Sequence, residues 1–162
     1  MNRSVLTSRT ARVAGVALLQ LALVAGVVSG QLSARLTGDE YAFRVEPVDP
    51  IDPFRGAYVT LGYADLVATN DGIAGEPGEL YLPLVEDGEY WKAGTPTRTR
   101  PDDGPYLACD DGSWRVECGI DSWFLPQDDA VAMENAIRDG DAVARVKIDG
   151  RGHAALVGVT VR

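Results

Sequence analysis

The N-terminal part of the chain carries one long apolar block. Between Val13 and Gly30 the residues are Ala, Val, Leu and Gly, interrupted only by Gln20 and Ser29, and none of them is charged. This length is close to the ~20 apolar residues that a helix needs to cross a bilayer. The pattern therefore predicts a transmembrane helix.

The charges around this block predict its orientation. Three arginines, at positions 3, 9 and 12, precede it, and the first acidic residue is Asp39. The positive-inside rule then places the N-terminus in the cytoplasm and the rest of the chain outside. A cleaved signal peptide is the competing interpretation, because Val28-Ser29-Gly30 offers small residues for a peptidase. The uncharged run is longer than the usual apolar region of a signal peptide, which favours a retained single-pass anchor in the cell membrane.

After a short polar joint from Thr37 to Glu40, the pattern changes to alternation. Tyr41, Phe43 and Val45 alternate with more polar residues, as expected for a half-buried strand. Turn signals then separate short apolar runs, and Asp87-Gly88, Asp111-Gly112 and Asp149-Gly150-Arg151-Gly152 each predict a hairpin. The further predicted strands are Tyr58–Leu66, Glu79–Val85, Glu89–Lys92, Tyr106–Cys109, Trp114–Cys118, Val143–Ile148 and Ala154–Val161.

One segment has helical spacing instead. From Ala130 to Arg138 the apolar positions recur at helical intervals, with Asp128 or Asp129 as N-cap and Gly140 as the stop. We therefore expect a mainly β fold: an antiparallel sheet or small barrel-like outer domain with one short helix, preceded by the transmembrane helix. The predicted division is a cytoplasmic tip and anchor at residues 1–36 and an extracytoplasmic domain at residues 37–162.

Charge separates the same two parts. Residues 1–36 hold four of the 15 basic side chains and no acid, so the remainder carries 24 acidic and 11 basic groups, a formal balance of −13. Such a domain repels nucleic acid, which we exclude as a partner.

The stretch from Val45 to Tyr63 joins two predicted strands through a proline-rich corner. Pro47, Pro50 and Pro53 each fix φ and lack an amide donor, so this corner is stiff and cannot be helical. The β-branched and aromatic residues after Gly56 are typical of a strand. The residues alone thus predict a rigid turn that leads into a strand.

The end of this stretch, Gly56-Ala57-Tyr58-Val59-Thr60-Leu61-Gly62-Tyr63, resembles the signature of the GDYXXLXY family. Ala57 stands where that family carries an acid. Gly119 to Pro126, the short helix and the closing hairpin are also similar to the family's C-terminal half. The resemblance implies a membrane-anchored protein without an established activity, whose relatives tend to accompany a multi-spanning membrane protein. It implies no catalytic residue and no cofactor.

Cys109 and Cys118 are the only cysteines. Outside the cytoplasmic membrane an oxidising setting favours a disulfide between them. A two-residue turn at Asp111-Gly112 would place Cys109 opposite Trp114, four residues before Cys118. Either the turn is wider than two residues, or the thiols do not pair within this hairpin.

The sequence offers few groups for catalysis or metal binding. His153 is the only histidine and is predicted to be a surface turn residue; with two cysteines it does not make a usual zinc site, so we expect no metal. No serine lies in a Gly-x-Ser-x-Gly elbow. The two lysines, Lys92 and Lys147, lie on predicted strands, and no serine nucleophile like that of signal peptidases follows the apolar block.

Two hypotheses follow. The favoured one is a non-catalytic accessory or interaction subunit of an integral membrane partner, with Gln20 as the candidate contact inside the membrane, because a polar side chain in hydrocarbon seeks a partner. The alternative is an extracytoplasmic hydrolase, signal-peptidase-like or other, with Asp49, Asp52, Arg55 and Tyr58 at the proline corner as its polar candidates.

Overall fold

The computed structural model of the protein describes residues 3–47, 58–66, 69, 73–126, 133, 135–140 and 142–161. It begins with a single long helix, α1, from Arg3 to Thr37. From Arg9 onward this helix is long and apolar enough to cross a membrane, a property that it shares with signal sequences near an N-terminus. Residues 9–29 of α1 are exposed, so this part of the helix projects away from the rest of the protein.

The remainder of the described chain is rich in β-structure, as the alternating pattern predicted. The strands are β1 (Asp39–Arg44), β2 (Glu46–Pro47), β3 (Tyr58–Gly62), β4 (Glu79–Asp87), β5 (Tyr90–Ala93), β6 (Tyr106–Asp110), β7 (Ser122–Phe124), β8 (Ala142–Ile148) and β9 (Ala154–Val161). They form three antiparallel sheets of three strands each, in the orders β1-β8-β9, β2-β3-β7 and β5-β4-β6, and no closed barrel forms among the described residues.

The sheet β1-β8-β9 forms the side of the domain that meets α1. In β8 the side chains alternate between buried and less buried positions, and Phe43 of β1 is fully buried, because one face of this sheet covers the core. The predicted closing hairpin is confirmed, with Ile148 of β8 opposite Ala154 of β9.

The other two sheets complete a common core. Leu80 and Leu82 of β4 and Leu107 of β6 are fully buried and belong to the same apolar cluster as Phe43. Tyr41 of β1 meets Trp91 of β5 edge to face, with ring centroids 5.0 Å apart, which joins two of the sheets. The predicted hairpin at Asp87-Gly88 is confirmed, since Asp87 pairs with Tyr90.

The short predicted helix is present in the part that the structure describes. Met133 and residues 135–138 are helical, and Ile137 is buried in the core while Met133 packs against it. Gly140 has φ +81° and donates its amide to Ile137 O at 3.1 Å, so it ends the helix as predicted. The proposed N-caps Asp128 and Asp129 lie outside the described residues.

Several predicted strand bounds were wrong. The segment Trp114–Cys118, predicted as a strand, forms isolated bridges at Arg115 and Glu117 instead. The strand predicted over Tyr58–Leu66 ends at Gly62, because the chain turns there and Leu66 N donates to Tyr63 O at 3.2 Å. The polar joint predicted at Thr37 to Glu40 is reduced to Gly38, since Asp39 already starts β1. A Cβ on Gly38 would lie 2.5 Å from Ala34 O and 2.8 Å from the carbonyl carbon of Ile148, so only glycine fits this tight connection.

Candidate functional site

The strand that carries the signature motif, β3, lies between β2 and β7. Leu61 is 2% exposed, and its amide donates to Asp121 O at 2.8 Å. Tyr63 follows the strand, packs against the core, and donates its hydroxyl to Ile120 O at 2.6 Å. Both motif residues therefore bind the segment Gly119 to Pro126, the second segment that resembled the family.

Tyr63 acts here as a hydrogen-bond donor. Burial raises the pKa of its phenol well above the ordinary value, and the nearby Asp121 carboxylate raises it further. The hydroxyl thus keeps its proton at physiological pH and holds the backbone of Ile120. The role of Leu61 and Tyr63 in the described structure is to fix β3 against β7.

The remaining residues of the proline corner fall outside the described part of the chain. These are the polar candidates Asp49, Asp52 and Arg55 and the motif residues Gly56 and Ala57. Tyr58 is described only as the first backbone position of β3, opposite Phe124 of β7. The hydrolase hypothesis, which depends on these side chains, stays a prediction.

A groove of about 220 Å³ opens beside the end of the motif strand. Its walls are mainly apolar, and the charged residues along it are Glu46, Arg115 and Asp121. In the part of the chain that the structure describes, no three His, Cys, Asp or Glu side chains cluster closely enough to hold a metal ion. The uncharged walls are formed by Leu61, Gly62, Tyr63, Leu66, Thr69, Trp114, Val116, Cys118 and Ile120.

The two cysteines form a disulfide across a hairpin that is wider than the predicted turn. Asp110 and Glu117 exchange both backbone hydrogen bonds, at 2.9 and 2.8 Å, so the loop between them holds six residues instead of two. One step further from the loop, Cys109 lies opposite Cys118. Their Cα atoms are 4.2 Å apart and their sulfurs are bonded. In an antiparallel ladder, the pair next to a hydrogen-bonded pair is not itself hydrogen-bonded and has the shorter Cα–Cα distance. This position brings the two thiols together. The two-residue turn at Asp111-Gly112 was therefore wrong.

Asp111 instead lies inside the domain as half of an ion pair. Its side chain is 1% exposed, and its two oxygens accept from Arg98 Nη1 and Nη2 at 2.7 and 2.6 Å. Gly78 N adds a third bond at 2.7 Å. The Arg98 hydrogen bonds, followed by the Gly78 amide, hold the pKa of Asp111 below its ordinary value. Sequence reasoning missed this pair, because Asp111 had the pattern of a turn residue and Arg98 lies in a polar loop.

A second buried carboxylate, Asp149, joins α1 to the β-rich domain. Its side chain is 3% exposed and lies in the turn between β8 and β9. The hydroxyl of Ser33, near the end of α1, donates to Asp149 Oδ2 at 2.5 Å. The amides of Arg151 and His153 donate to Oδ1 at 2.8 and 3.1 Å, and His153 Nδ1 lies 3.1 Å from Oδ2.

These contacts set the ionisation of Asp149. Burial has the largest single effect and would raise its pKa, but the hydrogen bonds from Ser33, Arg151 and His153 together outweigh it and hold the pKa at about 2. The carboxylate is thus ionised at physiological pH and remains bound to both the helix and the turn.

Ser33, Asp149 and His153 are the residue types of a catalytic triad, but their connectivity differs from one. In a triad the serine donates to the histidine, which the carboxylate orients on its other side. Here the serine and the imidazole both bind Asp149 Oδ2. The serine proton is therefore directed at the carboxylate and not at the imidazole, so the arrangement serves to hold the turn. His153 is 40% exposed and lies beside the predicted turn.

Further contacts fix the end of α1 on the sheet. We call the region formed by Gly30 to Gly38 and residues 147–156 the junction. Ala34 is fully buried. Arg35 Nη2 donates to Leu156 O at 3.1 Å, and Lys147 Nζ donates to Arg35 O at 3.2 Å. Lys92, the other lysine, pairs with Asp87 at 3.4 Å.

The turn at the junction is also held from its other side. Gly152 O accepts from Ala108 N of β6 at 2.9 Å, and the hydroxyl of Tyr106 donates to Gly150 O at 3.2 Å. A Cβ on Gly152 would lie 2.6 Å from the Tyr106 ring. The turn thus connects the helix with β6 across the first sheet. Gln20, in contrast, lies in the exposed part of α1, away from the domain.

Comparison with known proteins places most of the chain in one family model. The model is described as GDYXXLXY protein and matches residues 20–159. No curated protein and no solved structure matches the chain. The matched region begins at Gln20 inside α1, so it covers the C-terminal half of this helix together with the β-rich domain.

Proposed function

The chain belongs to the GDYXXLXY family, and from that premise we propose that it is a non-catalytic protein, anchored in the cell membrane, whose outer domain is an accessory subunit of a multi-spanning membrane protein. The N-terminus lies in the cytoplasm and residues 37–162 lie outside. The observation that carries the proposal is the rigid junction between the apolar helix and the domain.

The junction supports a function that needs fixed orientation. α1 continues without a break from its apolar part to Thr37, and only Gly38 separates it from β1. Ser33 and Arg35 then bind the β8–β9 hairpin. A tethered enzyme acting on soluble substrates gains nothing from such a connection, whereas a subunit that binds a partner inside and outside the membrane needs both surfaces in register.

The same region supports a retained anchor over a cleaved signal. The helix passes through Val28, Ser29 and Gly30 without interruption. A Cβ at Gly30 would lie 3.3 Å from the imidazole of His153, so this position already packs against the domain. Cleavage after Gly30 would cut a helix whose next residues are bound to the sheet.

Gln20 is the proposed contact within the membrane. It is the one polar side chain in the apolar run before Ser29, and the hydroxyl of Ser29 already donates to Gly26 O at 2.8 Å. An amide group in hydrocarbon gains from a hydrogen bond to another helix.

Affinity purification of the full chain after extraction in a mild detergent tests the proposal. We expect one multi-spanning protein to co-purify in constant ratio. Gln20→Ala should reduce its yield several-fold, because the interhelical hydrogen bond is lost. Leu18→Ala is the matched control, since position 18 lies about 200° around the helix from position 20 and so faces away.

Two results would refute the proposal. Recovery of the chain without any membrane protein would exclude the accessory role. Release of the chain from membranes by alkaline carbonate, with an intact mass that lacks residues 1–30, would show a cleaved signal and exclude the anchor.

A further inference from the structure

We propose that a pocket beside the junction binds the phosphate of a membrane phospholipid headgroup; the inference rests on the membrane anchoring proposed above. The pocket, of about 390 Å³, lies between the end of α1 and strand β7. Gln31 and Arg35 line it from the helix, Ser122, Trp123 and Phe124 from β7, and Leu156 from β9. We call it the junction pocket.

The depth of the junction pocket in the membrane matches the headgroup layer. The apolar run ends at Gly30, and Gln31 is the next residue. Arg35 lies one further turn along the helix, a rise of about 6 Å. A bilayer of about 40–45 Å has a hydrocarbon core of about 30 Å, which leaves roughly 5–8 Å of headgroup region on each side. With Gly30 at the hydrocarbon boundary, Gln31 and Arg35 therefore lie at the level of the lipid phosphates.

The positive charge at the junction pocket suits a phosphate group. Arg35 brings a planar guanidinium with five N–H donors, of which one nitrogen binds Leu156 O at 3.1 Å. None of the described residues that line the pocket is acidic. The carboxylate of Asp121 does not line the pocket, but it accepts a hydrogen bond from the hydroxyl of Ser122, which does, at 3.4 Å. Lys147 binds Arg35 O and adds positive potential at the helix end.

The apolar side of the pocket suits the lipid's glycerol and acyl chains. Phe124 is 76% exposed, and Trp123 stands beside it on β7. Trp side chains are enriched where hydrocarbon meets headgroups, and the exposed Phe124 ring adds apolar surface beside Trp123. Below Gly30, the exposed Val and Leu side chains of α1 offer a continuous surface for the acyl chains. An elongated ligand with a phosphate at one end and hydrocarbon at the other fits this arrangement. Free phosphate would contact the polar groups and leave the apolar surface uncovered.

Native mass spectrometry of the detergent-purified full chain tests the inference. Phosphatidylglycerol, phosphatidylcholine and diacylglycerol are added separately. We expect one-to-one adducts with the two phospholipids, none with diacylglycerol, and none with inorganic phosphate. Arg35→Gln should lower phospholipid occupancy by about 10-fold, because charge-assisted hydrogen bonds to the phosphate are lost. Arg145→Gln is the matched control: Arg145 pairs with Glu40 and does not line the pocket.

A second measurement does not depend on the folding of Arg35→Gln. A benzophenone amino acid placed at Phe124 is photolysed in intact membranes, and the products are identified by mass. A lipid adduct supports the inference; a protein adduct shows that a partner fills the pocket and overturns it. Adducts unchanged by Arg35→Gln, or Arg35-dependent binding of inorganic phosphate, would also overturn it. Membrane retention in carbonate, measured on the same samples, tests the anchor separately.

Discussion

Replacing Asp149 with Asn removes the charge on which the junction depends. The pKa of Asp149 falls from 3.8 to about 2 on folding. At ~1.36 kcal/mol per pKa unit, this difference corresponds to roughly 2 kcal/mol of stability for the ionised group. The side chain is 3% exposed, so solvent screens this contribution little. We therefore expect Asp149→Asn to lower the free energy of unfolding at pH 7 by about 2 kcal/mol.

The pH dependence follows from the direction of the shift. A lowered folded-state pKa stabilises the protein above the unfolded-state value of 3.8, and this stabilisation is lost as the pH falls through about 2. The difference between wild type and Asp149→Asn should thus stay nearly constant down to about pH 5. It should shrink to about half at pH 3.

Urea unfolding of the full chain in detergent, followed by tryptophan fluorescence, measures this difference. Trp91 and Trp123 pack against the core and report on the folded domain. Asp102→Asn is the matched control, because Asp102 is exposed and its replacement should change stability by less than ~0.5 kcal/mol. A loss that is equal at pH 7 and pH 3, or no larger than that of Asp102→Asn, would refute the electrostatic account of the junction.

Three further predictions concern the same structure. Ser33→Ala should destabilise the domain by about 1.5 kcal/mol or more in the same urea assay, because a hydrogen bond to a carboxylate is lost; Ser29→Ala, whose hydroxyl donates to Gly26 O of its own helix, should not, and equal effects would contradict the assigned contact. Gly152→Ala should cost about 2 kcal/mol or more in thermal unfolding, since φ is +80° and a Cβ meets the Tyr106 ring; Gly150→Ala, with open space around it, is the control, and similar melting temperatures would count against the close packing of Gly152 on Tyr106. Cys118→Ser should lower stability by about 2–3 kcal/mol and make the urea midpoint insensitive to dithiothreitol; a persistent response to the reductant would exclude the disulfide as its cause.

Much of the secondary structure could be predicted because it depends on local pattern. The alternation at Tyr41, Phe43 and Val45 and the turn signal at Asp149-Gly150-Arg151-Gly152 each reflect the period of a pleated strand or the φ requirements of a turn. Gly140 ends its helix for the same kind of reason. The contacts at the junction could not be predicted in this way, because the residues that form them are far apart in sequence. Nothing in the local pattern around Ser33 indicates that its hydroxyl binds Asp149.

Asp111 shows the limit most clearly. Its Asp-Gly dipeptide predicted a two-residue turn, yet the chain continues into a six-residue loop because Arg98 and Gly78 bind the carboxylate inside the domain. The wider loop in turn brings Cys109 opposite Cys118. A long-range ion pair thus overrode a local turn preference and decided the disulfide register.

The sequence by itself determined that a charge-free apolar helix precedes an acidic, β-rich domain, because hydropathy, periodicity and charge are properties of neighbouring residues. It also determined the family signature, with Ala57 in place of the acid. Only the tertiary structure decided that helix and domain are joined without a flexible linker. That result depends on contacts between Ser33 and Asp149 and between Arg35 and Leu156, more than a hundred residues apart in the chain, and such contacts exist only once the sheets have packed.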